Sequence, residues 1–181
     1  MKSYKNGIPN GATWTGEGSS PRTIMMPGEG SDSYEDLHRR LLLEMDPRTP
    51  YLEFLVQDIA TLTWEATRNR ILRDALIVAE FRELATGVFL TGKIEKALSV
   101  VSQAEAKKLA DGLFSSDPNL AEKSLGRLAA VGISREEVLA RASQNVLPQV
   151  EIYNRQIAGL ESRRRLLHKE YRELRSEQAA M

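Results

Sequence analysis

Between Val150 and Leu174, apolar residues recur at alternating intervals of three and four positions. The series Val150, Tyr153, Ile157, Leu160, Arg164, Leu167, Tyr171 and Leu174 fills successive a and d positions of a heptad, and only Arg164 breaks its apolar character. A helix carrying such a stripe must lay it against another helix, from the same chain or from a second copy. This packing demand constrains the fold more than any other part of the sequence.

The rest of the chain supplies partners for it. Ser31 or Ser33 suits a helix N-cap, and a helix is expected over residues 31–46 with Leu37, Leu41 and Met45 on its apolar face. Asp46-Pro47-Arg48-Thr49-Pro50 stops it, because a residue before proline avoids the α region. Thr49-Pro50 then opens a long helix, expected over 50–86, with Gly87 in the left-handed position after its end. Leu52, Leu55, Val56, Ile59, Leu62 and Ala66 form one stripe on it, and Ile77, Phe81, Leu84 and Val88 form another. Arg68, Arg70 and Arg73 interrupt the two.

Residues 92–147 read as short helices: Lys93 to Val101, Gln103 to Phe114, one opening at Asp117-Pro118 and ending near Gly132, and one beginning at Ser134. In the last, Glu137 completes a capping box. Leu147-Pro148 introduces the heptad helix, expected over 149–177. No strand or hairpin signal interrupts this order. The expected class is all-α: an antiparallel hairpin or stalk of the two long helices, capped by the short ones. Residues 1–30 read as a disordered arm rich in glycine and proline, on which Trp14 and Ile24-Met25-Met26 either staple the arm to the body or form a partner-binding motif.

Charge excludes some roles. The 25 basic residues balance 25 acidic ones, so no net field steers the molecule to nucleic acid or an anionic membrane. The absence of cysteine excludes disulfides and thiolate chemistry. The longest apolar run, Ala75 to Ala79, is far too short to span a bilayer, and no apolar stretch follows the N-terminal basic residues. A cytoplasmic protein without a membrane partner is expected.

Two stretches carry a family resemblance. Met26-Pro27-Gly28-Glu29 and Tyr34-Glu35-Asp36-Leu37 lead into Leu52-Glu53-Phe54-Leu55-Val56-Gln57-Asp58-Ile59-Ala60, with Trp64 following. Tyr153-Asn154-Arg155-Gln156-Ile157 continues through Arg163-Arg164-Arg165 to Tyr171-Arg172-Glu173-Leu174. Together, over residues 24–80 and 150–178, they resemble an uncharacterised family of bacterial helical proteins, some encoded near mobile elements. Its members show a Pro-Gly-Glu entry, a Leu-Val-x-x-Ile-Ala-x-x-x-Trp type helix and an Arg-rich closing helix. Ser20-Pro21-Arg22-Thr23 echoes the basic arm of such proteins, and the Asn-Ala-Leu-Lys-His-Gly type stretch that follows it there is absent here. The resemblance implies an all-helical fold and no particular activity.

Catalysis finds little to use. The two histidines, His38 and His168, lie outside any nucleophile or metal-hydrolase motif. Glu35 and His38 have the Glu-x-x-His spacing of carboxylate-bridged metal bundles, but His168 has Arg165 where its own glutamate would stand. Neither a phosphate-binding loop nor a nucleophile elbow occurs. No enzyme activity, cofactor or metal is expected.

Nucleic acid is the stronger alternative. Arg165, His168, Lys169 and Arg172 fall on one side of the last helix, with Arg163, Arg164 and Arg175 close by, and such a ridge suits phosphates. Against it, Glu161, Glu170, Glu173 and Glu177 interleave, leaving seven basic against five acidic residues from Glu151 to Glu177. Residues 125–142 also fit a helix-turn-helix at Val131-Gly132-Ile133-Ser134, although the second helix opens Arg135-Glu136-Glu137 and would turn carboxylates toward phosphates. Arg164, at an a position, requires snorkelling or a carboxylate partner, for which Asp58 and Glu65 are the intramolecular candidates. The expectation is a non-enzymatic interaction or scaffolding protein that forms homo-oligomers through the heptad helix and binds a protein partner; the alternative is a nucleic-acid accessory protein using Arg163, Arg165, Lys169, Arg172 and Arg175.

Overall fold

The computed structural model describes residues 31–91 and 101–180, and every regular element among them is a helix. In chain order these are α1 (Ser31–Met45), α2 (Pro50–Thr91), α3 (Gln103–Gly112), α4 (Pro118–Ala130), α5 (Arg135–Asn145) and α6 (Leu147–Ala180). The expected arm over 1–30 lies outside the described residues. So does nearly all of the expected Lys93–Val101 helix; Val101 itself is described, non-helical and buried.

Local chemistry sets most boundaries. Asp46 takes a φ of 50°, and its N–H bonds the Leu42 carbonyl at 3.0 Å, a left-handed end to α1 just ahead of Pro47. Thr49 caps α2, its hydroxyl oxygen accepting from Leu52 N at 3.4 Å. Ser102 and Asp117 cap α3 and α4, and Ser134 and Glu137 complete the capping box of α5 with bonds of 3.1 and 2.8 Å. Gly132, at φ 75°, ends α4 in a Schellman motif, with Ile133 N on Leu128 O and Gly132 N on Ala129 O.

α6 runs a few residues past its expected 149–177 at both ends and α3 stops at Gly112, two short of Phe114, but one boundary departs further. α2 does not stop at Thr86 with Gly87 beyond it; it continues to Thr91, 42 residues in all, with Gly87 inside. Phe89, six per cent exposed, and Val88 pack into a core beyond the glycine. Burying an aromatic side chain contributes roughly 1.5–3 kcal/mol, which outweighs the ~1 kcal/mol cost of a helical glycine.

Two apolar clusters lie along α2. At its N-terminal end Leu52, Leu55 and Val56 meet Tyr171, Leu167 and Leu174 of α6 and Leu41, Leu42 and Met45 of α1. At its C-terminal end Phe81, Ala85 and Phe89 meet α3, Leu128 of α4, and Val138 and Ala142 of α5. No α2 residue from Thr67 to Glu80 is buried. Polar links join α2 to α6: Tyr51 Oη donates to Glu170 at 2.6 Å, Arg70 pairs with Glu161, and Arg73 donates to Asn154 Oδ1 at 3.1 Å. As positions on α2 rise, their partners on α6 fall.

The heptad stripe is largely satisfied within the chain. Ile157 and Tyr171 are buried, and Val150, Tyr153, Leu160, Arg164, Leu167 and Leu174 are half-buried. Its strongest anchor, Tyr171, cannot also form a contact between copies without leaving this core.

Candidate functional site

The sequence placed five basic residues in one candidate nucleic-acid ridge, and the fold distributes them to different tasks. Arg175 reaches back to α1, donating to the Met45 carbonyl and standing 3.4 Å from Asp46 Oδ2. Arg165 lies 3.6 Å from Glu161 and Lys169 3.7 Å from Glu173, both i,i+4 pairs on an exposed surface. Arg172 donates Nε to the His168 carbonyl of its own helix at 3.2 Å. Arg163 faces another side of α6 altogether. Arg70 and Arg73 are taken up by α6, and exposed pairs of this kind contribute only ~0–1 kcal/mol each.

The 125–142 hairpin is likewise occupied. Glu137 is held in the capping box, and the Arg135 guanidinium lies 5.7 Å from the centre of the Phe114 ring. Ile133 and Val138 serve the core rather than a groove-reading surface.

Both histidines are tied to packing. His38 stacks 6.3 Å from Tyr34, and partial burial lowers its pKa below the ordinary 6.5. His168 is also lowered, first by desolvation and then by Arg164 and Arg172, with Glu44 opposing. Neighbouring Tyr34 bonds Thr61 at 2.9 Å; because Thr61 Oγ1 donates to Gln57 O, the tyrosine is the donor. Tyr34 also meets Trp64 edge to face at 5.9 Å, and Trp64 Nε1 is buried without an acceptor among the described residues. No cluster of three or more His, Asp or Glu able to hold a metal occurs among the described residues. No helix there is long and apolar enough to cross a membrane.

What the sequence did not display is a trough along the α2–α6 pair. Two adjoining depressions, of about 360 and 490 Å³, share Glu65 and Arg163. Asp58 and Leu166 line the first, and Gly159 and Gln156 the second. Leu166 is 66% exposed, and Phe54, one helical turn before Asp58, is 61% exposed. Asp58 and Glu65, the expected partners of Arg164, therefore line up with Arg163 instead. One residue along a helix turns the side chain by about 100°, enough to carry Arg163 to the trough while Arg164 stays beside the seam. Half-buried Arg164 has no carboxylate within ion-pair distance among the described residues, so of the two expected alternatives the Asp58 or Glu65 partner is not formed and snorkelling is left. Arg163, Asp58 and Glu65 also form no ion pair with one another within 4 Å.

Gly159 is the other feature that was missed. A Cβ there would meet nothing within 4 Å, so no contact among the described residues requires glycine at this point of α6.

Comparison with protein-family models, with curated proteins and with solved structures finds no match.

Proposed function

We propose that this chain is a non-enzymatic interaction or scaffolding protein. In this reading α2 and α6 form an antiparallel helical stalk, the short helices α3 to α5 cap one end, and the α2–α6 trough is the recognition face. The observation that carries it is the concentration of large exposed apolar groups and charged residues of both signs, Phe54, Leu166, Asp58, Glu65 and Arg163, on one side of the paired helices. Apolar side chains rimmed by charge are the usual composition of a protein-binding patch. The site offers a partner apolar contact and opposite charges.

The test is site-specific photo-crosslinking in cells, with a photoreactive phenylalanine at Phe54 or Leu166 and a control at exposed Leu125. Discrete protein adducts from the trough positions and none from the control support the reading. Absence of adducts from the trough overturns it.

A nucleic-acid accessory role is the second reading, favoured by exposed Arg165, Lys169 and Arg172 on the outward side of α6. Fluorescence anisotropy with labelled single- and double-stranded DNA across salt concentrations separates the two. Micromolar binding that weakens steeply with salt would favour the nucleic-acid role; no binding at low salt would remove it.

A further inference from the structure

We infer that the occupant of the α2–α6 trough is a second copy of this chain, forming a four-helix bundle about a twofold axis parallel to the helices. This rests on the scaffold reading and adds the identity of the partner and the surface used.

The geometry follows from the trough's own layout. α2 forms one wall, with Asp58 and Glu65 and, one turn farther along, Arg68, and α6 forms the other with Arg163. A twofold axis running along the trough exchanges the walls and leaves heights unchanged. α2 of one copy then lies over α6 of the other, and Arg163 meets Asp58 and Glu65 of the partner subunit. The arrangement is self-complementary, as an isologous interface must be. Any translation along the helices would break the charge match, so the charges also fix the register.

Two further features fit this occupant. Gly159 gives up helix propensity where nothing among the described residues occupies the space, and a glycine on a helix face permits close approach by another helix. Phe54 and Leu166, both more than half exposed, are the apolar groups the second copy would cover. The face from Phe54 to Leu72 is roughly 27 Å long and two helices wide, burying ~500 Å² per copy, near the lower limit for a specific dimer. The association is therefore weak, with Kd on the order of tens of micromolar. In this arrangement Leu167, Tyr171 and Leu174 of the heptad stripe pack against α2 and α1 within the chain, while Leu160 and Leu167 also line the trough.

Sedimentation velocity over a wide concentration range tests this with four variants, each checked for unchanged helicity by circular dichroism. The wild-type chain should move from monomer to dimer. Arg163→Glu reverses the one α6 charge that faces Asp58 and Glu65, and the double change Asp58→Arg with Glu65→Arg leaves only basic groups among the charged residues lining the trough. Each alone should weaken self-association at least tenfold, while an equimolar mixture of the two should restore it. Gly159→Leu should abolish the dimer by filling the trough, and Gly159→Ala should retain it. A wild-type chain that stays monomeric at ~0.5 mM overturns the inference. So does wild-type association by both charge variants. If the chain is monomeric but trough crosslinks to other proteins form in cells, the second-copy inference falls and the scaffold reading stands. If neither dimer nor crosslinks appear, both fall.

Discussion

The Tyr171 hydroxyl donates a 2.6 Å hydrogen bond to the Met45 carbonyl, joining α6 to the last residue of α1. Arg175 donates to the same oxygen and places its positive charge at the negative end of the α1 dipole. Helix C-termini leave carbonyls without partners, and here another helix supplies them. Tyr171→Phe should cost about 1 kcal/mol by removing one donor and sparing the ring, whereas Tyr171→Ala should cost about 3–5 kcal/mol by emptying the core position. Urea denaturation of both variants checks the ordering. Equal losses would mean that the ring contributes nothing.

Two helical glycines should answer the same substitution with opposite signs. At Gly112 a Cβ would collide with the Ser124 hydroxyl and lie 3.2 Å from the Leu120 carbonyl; Ser124 is fully buried. Gly112→Ala should destabilise by roughly 1–3 kcal/mol through overpacking. Gly159→Ala meets open space and should stabilise the monomer by roughly 0.5–1 kcal/mol. Thermal unfolding at low protein concentration measures both.

Stability should fall on mild acidification. His38 and His168 both have folded-state pKa values below the unfolded value of 6.5 because burial disfavours the imidazolium. The unfolded chain then binds more protons in the window just below 6.5, so stability is complete above that pH and declines as pH drops through it. Both rings are substantially solvent-accessible, which keeps the effect small. A melting-temperature profile between about pH 8 and 5 should show the decline, and His38→Gln with His168→Gln should flatten it.

The α5 capping box provides a local test. Ser134→Ala removes the acceptor for Glu137 N and should cost about 1 kcal/mol. Ser134→Asp, which retains an acceptor oxygen, should keep most of that stability. Chemical denaturation curves for the two variants separate capping from general surface effects.

The elements most legible in the sequence were those fixed by local chemistry. Pro47 behind Asp46, Pro118 behind Asp117, Gly132, and the Ser134–Glu137 pair each act within one turn of backbone, and each marks a boundary in the structure. Gly87 failed as a stop because its competitor, burial of Phe89, depends on helices distant in sequence. The heptad stripe correctly required a helical partner. It did not predict the trough, which exists only once the relative rotation of α2 and α6 is set. That rotation directs Arg163 rather than Arg164 toward Asp58 and Glu65, a difference of one position that periodicity along α6 alone cannot resolve.

The stretch of α2 from Thr67 to Glu80 carries no buried side chain, yet the same helix enters an apolar cluster at each end. Its middle turns carry only half-buried or exposed side chains, and the Arg70–Glu161 and Arg73–Asn154 links join them to α6. Such turns open at low free energy without requiring either flank to unfold. In amide exchange the chain should therefore behave as two separately protected foldons threaded on one helix, with a fast-exchanging span between them where the backbone breathes while both ends keep their packing.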